Sequence, residues 1–171
     1  MRLAITALAK KVGVALKARK LTLATAESCT GGGVAEAITR IAGSSEWFEC
    51  GFVTYSNRAK QELLNVKPAT LKKYGAVSEQ VAAEMVIGCL RHSGADITLV
   101  VTGIAGPSGG TPTKPVGTVC FAWAEKKGKK ILKTLYFQGS RKEIREQSVF
   151  CALQGILDLW DNSHSNIKEN L

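Results

Sequence analysis

The run Ala26-Glu27-Ser28-Cys29-Thr30-Gly31-Gly32-Gly33 is where chemistry first becomes legible in this chain. It follows a strand-forming stretch over residues 21–25 and precedes a helical stretch over residues 34–41. A serine at a strand-to-helix turn projects its hydroxyl from the sheet, and backbone N–H groups at the helix start stabilise a nearby anion. The same residues also read as a helix cap through Ser28 or Thr30, although three glycines exceed what a cap needs.

A nucleophilic serine requires a base. The histidines are His92, near a helix end, and His164, in a polar tail, and both read as surface residues, which argues against a histidine triad. A lysine removed from water is the other candidate, and lowering its pKa from ~10.4 to ~7.5 costs about 4 kcal/mol. Most lysines fall in charged runs, but Lys60 stands apart, just after Tyr55-Ser56-Asn57 at the end of a predicted strand. Read alone, Lys60 suits a solvated helix face better than a catalytic role. Cys29, Cys50, Cys89, Cys120 and Cys151 form no CxxC pair and, with the two histidines, no metal-ligand spacing, so no metal or other cofactor is expected.

The elements that must hold these residues follow from periodicity. An N-terminal helix is predicted over residues 3–19 with Leu3, Ala7, Val14 and Leu16 on its apolar stripe. A strand over residues 47–55 closes on Ser56-Asn57, which cap a helix carrying Lys60 in its first turns. A short helical piece follows Pro68, and another helix starts at Ser78 and stops at Gly94. Residues 97–101 form an uninterrupted apolar run, the pattern of a central strand buried on both faces. A long irregular stretch over residues 103–117 contains Gly106-Pro107-Ser108-Gly109-Gly110, and loops of this length are usually functional. A hairpin over residues 118–124 and 131–137 turns around Gly128, and a last helix spans residues 141–160, with Ile144, Val149, Leu153, Ile156, Leu157 and Trp160 facing in. This order predicts an α/β fold, a three-layer α-β-α sandwich with a mixed central sheet, in which ligands bind beyond the carboxyl ends of strands.

The 171 residues fit one domain over residues 1–161 with a polar tail over residues 162–171. The net charge of +9 points to a ligand or partner of negative charge. The basic residues decorate the first helix and the hairpin turn, where Lys126, Lys127, Lys129 and Lys130 flank Gly128. The negative ligand could be nucleic acid or a small phosphate ester, but no arginine-rich arm, zinc-finger spacing or aromatic-basic interleaving accompanies these lysines, which argues against nucleic acid and leaves them reading as solvated helix and turn faces. Unpaired cysteines, the lack of a signal-peptide pattern and the lack of an apolar run of membrane-spanning length predict a cytoplasmic protein with no membrane contact.

Four motifs carry a resemblance. Thr25-Ala26-Glu27-Ser28-Cys29-Thr30-Gly31-Gly32, Gly51-Phe52-Val53-Thr54-Tyr55-Ser56-Asn57 with Lys60, Gly75-Ala76-Val77-Ser78, and Gly103-Ile104-Ala105-Gly106-Pro107 with Lys114-Pro115-Val116-Gly117-Thr118-Val119 closely resemble the CinA C-terminal family. The resemblance covers residues 3–159 and implies a stand-alone nicotinamide-nucleotide amidohydrolase of pyridine-nucleotide salvage. Such an enzyme converts nicotinamide mononucleotide and water into nicotinate mononucleotide and ammonia.

Carried over by motif, Ser28 matches the nucleophile, Lys60 the general base and Tyr55 a tyrosine that assists them. Thr30, Gly31 and Gly32, with Thr102, Gly103, Ala105 and Gly106, match segments lining the nucleotide site. Arg141 falls where the family has a basic residue after a strand, and Arg145 one turn later is the substitute for holding phosphate. The chain departs from the family at Ser140 and Thr113, where an acid is common. The rival reading is a non-catalytic nucleotide-binding or competence-related regulatory module, and a homo-oligomer stays open.

Overall fold

A computed structural model describes residues 1–161; the predicted polar tail over residues 162–171 lies outside the described residues. The elements are α1 (Arg2–Arg19), β1 (Leu23–Glu27), α2 (Gly33–Thr39), β2 (Phe48–Val53), α3 (Asn57–Leu64), α4 (Pro68–Tyr74), α5 (Glu79–Ser93), β3 (Ile97–Gly103), β4 (Thr118–Glu125), β5 (Lys130–Tyr136) and α6 (Arg141–Asp158). The sheet order is β2-β1-β3-β4-β5. β1 runs parallel to both β2 and β3, whereas β4 and β5 return antiparallel, so the sheet is mixed as the sequence predicts.

Strict alternation along the strands sorts the core into two layers. Leu23, Ile97, Leu99, Val101, Val119, Phe121 and Trp123 face α1, α2 and α6. Ala24, Ala26, Val100, Cys120, Ala122 and Ala124 face α5 and the loops around α3 and α4. The second set is dominated by small side chains, so α5 lies close to the sheet. Gly88 of α5 extends this close packing outward, because a Cβ there would lie 1.9 Å from the Leu64 carbonyl oxygen. α3, which carries Lys60, is seated through that contact.

The buried face of α1 and the ends of several elements differ from the sequence reading. β1 begins at Leu23 because the Leu21 N–H closes α1 on Leu16 O, and Thr22 is bound through its N–H and hydroxyl to Asp96 Oδ2. On α1 the buried stripe is Ile5, Leu8, Ala9, Val12, Gly13 and Leu16, while Leu3 and Val14 are 88% and 64% exposed and Ala7 faces solvent. Spacings of three and four residues join Ile5, Leu8, Val12 and Leu16 into one face, and Leu16 is out of phase with Leu3, Ala7 and Val14. α6 ends at Asp158, leaving Leu157 and Trp160 half-buried, with the Trp160 ring against Arg19.

The hairpin turn with its four lysines sits at the end of the sheet where Ile97 pairs with Glu125. The opposite end, beyond Glu27, Val53 and Gly103, is where the predicted chemistry gathers.

Candidate active site

β1 and β2 end side by side, Glu27 opposite Val53, and the backbone stays stitched for one further residue: Ser28 N–H donates to Val101 O (2.9 Å) and Thr54 N–H to Glu27 O (2.8 Å). Ser28 is thereby fixed at the fork between β2 and β3. Its side chain continues the alternation of Ala24 and Ala26, so it emerges on the face covered by α3 and α5. Ser56 caps α3 by accepting from Ala59 N–H at 3.0 Å, and Lys60 turns inward from the first turn of that helix.

Lys60 is 1% exposed. Its Nζ lies 3.0 Å from Ser28 Oγ, 2.7 Å from Thr54 O and 3.5 Å from Tyr55 O. A neutral amine has two N–H donors and one lone pair. Two carbonyl acceptors can occupy the donors, which leaves the lone pair for the Ser28 hydroxyl. Burial, opposed weakly by neighbouring Cys29, lowers the Lys60 pKa to about 8. The ion pairs among the described residues, Lys17–Glu46, Arg40–Glu36 and Arg58–Glu62, all lie on the surface, so none holds Lys60 charged.

The turn after Ser28 is equally defined. Glu27, 1% exposed, accepts from Val34 N–H at 3.0 Å and from Ala35 N–H at 2.8 Å, so the start of α2 is capped by the protein's own carboxylate. Gly31 N–H donates to Ser28 O and Gly33 N–H to Thr30 O. Among the described residues this leaves the N–H groups of Cys29, Thr30 and Gly32 with no acceptor outside their own residue. The nearby Cys29 thiol is pushed up to about 12 by burial and stays neutral.

Ser28 and Lys60 open into a cavity of about 210 Å³ whose wall includes Cys29, Tyr55, Val77, Thr102 and Ala105. Ala76, Gly103 and Arg141 complete it. Thr102 is anchored by its hydroxyl to Ala76 O at 2.9 Å, which holds the loop before α5 in place. Arg141 donates from Nη1 to Gly106 O (2.9 Å) and from Nη2 to Tyr55 Oη (3.1 Å). The Tyr55 phenol therefore stands at the mouth beside Arg141, and only the Tyr55 backbone approaches Lys60. Ser140, where the family commonly carries an acid, caps α6 in a reciprocal box with Glu143.

Of the turn, Cys29 lines this cavity and Thr30, Gly31 and Gly32 follow it without lining it, and Gly106 contributes its carbonyl to Arg141. Arg145 does not enter the cavity; its Nη2 donates to Thr30 O at 2.8 Å. Sequence reading missed the wall residues Cys29, Ala76 and Val77 and the two carbonyls that hold Lys60. It also gave Glu27 no role, because an acid that lies ahead of the first turn of a helix carries no cap signal in the sequence alone. Among the described residues no group of three or more His, Cys, Asp or Glu side chains gathers as a metal site. No described helix is long and apolar enough to cross a membrane.

Residues 5–160 match the CinA C-terminal domain. The chain belongs to the CinA C-terminal domain family. It is 52% identical over 159 residues, 93% of this chain and 94% of its counterpart, to the nicotinamide-nucleotide amidohydrolase PncC of Escherichia coli (strain K12). It is 48% identical over 156 residues to the protein of the same name from Pseudomonas putida, covering 91% and 96% of the two chains. The crystal structure of the competence/damage inducible protein CihA from Agrobacterium tumefaciens superposes with a TM-score of 0.89 at 43% identity, covering 91% of this chain and 95% of that one. The CinA fold places the Ser28–Lys60 pair at the carboxyl ends of its parallel strands.

Proposed function

We propose that this chain is a nicotinamide-nucleotide amidohydrolase that acts through a Ser28–Lys60 pair. The observation that carries the reading is a fully buried lysine whose amine rests 3.0 Å from a serine hydroxyl at the floor of a cavity. A module that only binds a nucleotide gains nothing from burying that amine. The relatives' name supplies the substrate, and the cavity suits its reacting part: a single pyridine ring with its carboxamide fits about 210 Å³, while the ribose phosphate must project to the mouth.

Neutral Lys60 takes the proton of Ser28 as Oγ attacks the carboxamide carbon, and the carbonyl oxygen becomes an oxyanion. The N–H groups of Cys29, which lines the cavity, and of Thr30 and Gly32 beyond it are the uncommitted donors of the turn, and such donors contribute ~3–4 kcal/mol each. When the intermediate collapses, protonated Lys60 gives its proton to the departing nitrogen, which leaves as ammonia. Water then attacks the acyl-serine while Lys60 accepts its proton, and Ser28 is expelled and reprotonated. The product is the nicotinate nucleotide.

Ammonia release from nicotinamide mononucleotide by the purified protein tests the reading directly. Its absence at every pH between 6 and about 10, a window that brackets the neutral form of Lys60, would leave the binding-module reading. Turnover is expected to survive exhaustive chelation, because serine and lysine supply both nucleophile and base; loss that zinc or magnesium restores would show a metal-dependent step.

Arg141 is assigned to the phosphate. It stands at the cavity mouth with no carboxylate partner among the described ion pairs, so its charge is available to a dianion. A charge-assisted hydrogen bond contributes ~1.5–3 kcal/mol, so Arg141→Ala should raise KM for the nucleotide by about tenfold to a hundredfold. The phosphate-free riboside, expected to be a poor substrate for the wild type, should be used almost unchanged by the variant. Equal losses on both compounds would mean that Arg141 serves the Gly106 loop and Tyr55 instead.

A further inference from the structure

We propose that Arg145 is a positioning residue for the deamidation, holding the turn behind Ser28 in the one shape that presents its donors to the oxyanion. The inference rests on the amidohydrolase reading above. The Thr30–Gly31 peptide is gripped at both ends: Gly31 N–H donates to Ser28 O at 3.0 Å, and Thr30 O accepts from Gly33 N–H at 3.1 Å and from Arg145 Nη2 at 2.8 Å. Of these contacts only the last comes from outside the turn. It reaches across 115 residues of sequence.

External restraint matters here because the turn has little stiffness of its own. Gly31 and Gly32 adopt φ of +59° and +91°, a region glycine enters and leaves freely. A peptide plane that adjoins such a residue can rotate unless something fixes its carbonyl, and rotation of the Thr30–Gly31 plane would pull on both Ser28 O and the neighbouring Thr30 N–H. The guanidinium lies directly over the turn, with Nη2 3.5 Å from where a Gly31 Cβ would stand.

Arg145 is itself well aimed. The capping box at Ser140 and Glu143 starts α6, and Ile144 and Val149 are buried against the core, so the helix cannot slide. A Cβ on Gly33 would lie 3.1 Å from Val149 Cγ2, which shows how closely the start of α2 sits on α6. Arg145 Nε is enclosed with no hydrogen-bond partner, so the enclosure of this side chain serves the single bond made by Nη2. On its outer side Arg145 lines a solvent-open cleft of about 530 Å³, shared with Thr30, Arg40 and Lys142 and separate from the Ser28 cavity. A small cation can therefore enter where the arginine head has been removed, without passing the substrate.

The test compares the wild type, Arg145→Ala and Arg145→Lys in ammonia release from nicotinamide mononucleotide, each with and without guanidinium ion well below denaturing concentration, with thermal midpoints measured alongside. Arg145→Ala is expected to lose kcat by about tenfold to a hundredfold with KM little changed, and added guanidinium should restore part of the loss. Arg145→Lys, with a donor but a shorter reach, should retain intermediate kcat and show no rescue; if the alanine variant does not fold, a kcat deficit in the lysine variant decides. Wild-type kcat in either folded variant would overturn the role, as would a kcat loss that tracks the thermal midpoint and ignores guanidinium. A rise in KM at constant kcat would make Arg145 a phosphate ligand and overturn it too. An inactive wild type would remove the amidohydrolase reading itself, whereas an active wild type beside an unaffected Arg145→Ala removes only this inference.

Discussion

Ser28→Ala is expected to release no measurable ammonia from nicotinamide mononucleotide while melting close to the wild type. Without Oγ no acyl bond forms, and loss of a nucleophile that acts as a unit with its base lowers kcat by about 10⁴ to 10⁶. The fold should tolerate the change, since the backbone of Ser28 keeps its bond to Val101 O and the Lys60 amine keeps Thr54 O at 2.7 Å. Ammonia release and a thermal melt on the same preparation check both halves. Activity near the wild-type level would remove Ser28 from the mechanism.

Lys60→Met is expected to be as inactive as the serine variant, and the wild-type pH profile should show why. With a pKa of about 8, Lys60 is mostly charged at pH 7, and kcat/KM should climb with pH and level off above about 8 as the amine becomes neutral. Lys60→Arg should not restore activity, because a guanidinium stays protonated across that range. A profile flat from pH 6 to about 10 would exclude Lys60 as the base.

The same shift carries a stability signature of opposite bearing. Between pH 8 and 10.5 the unfolded chain holds the lysine proton and the folded chain has released it, so wild-type stability rises with pH through that window. Below pH 8 both states are protonated and the folded protein bears a penalty on the order of 3 kcal/mol. Lys60→Met, which never carries the charge, should therefore exceed the wild type in thermal midpoint most clearly below pH 8, the gap narrowing towards pH 10. The loss of a partner for Thr54 O offsets part of that gain.

Much of this site was legible because its parts are local. A serine before three glycines, a cap followed by a lysine in the next turn, and an apolar run ending in a long loop each state their element within a dozen residues, and Ser56, Ser78 and Gly94 occupy the helix ends expected of them. What was not legible depends on partners distant in sequence. Two apolar series compete on α1, and only the shape of Trp47 against Gly13 and the rest of the core selects Ile5, Leu8, Val12 and Leu16 over Leu3, Ala7 and Val14. Nothing near Arg145 in sequence says that it meets Thr30, nor does anything near Tyr55 say that its phenol turns to Arg141 and its backbone to Lys60.

The hairpin joining β4 to β5 turns at the end of the sheet remote from Ser28, and its tip, residues 126–129, is solvated and lysine-rich. Exposed tips of this kind accept inserted sequence more readily than paired backbone does. A tether or reporter peptide spliced in beside Gly128 would leave the substrate entrance facing away from whatever surface or label it carries. Immobilised in that orientation, the protein would present every mouth outward, which makes this end of the molecule the natural handle for building a sensor from it.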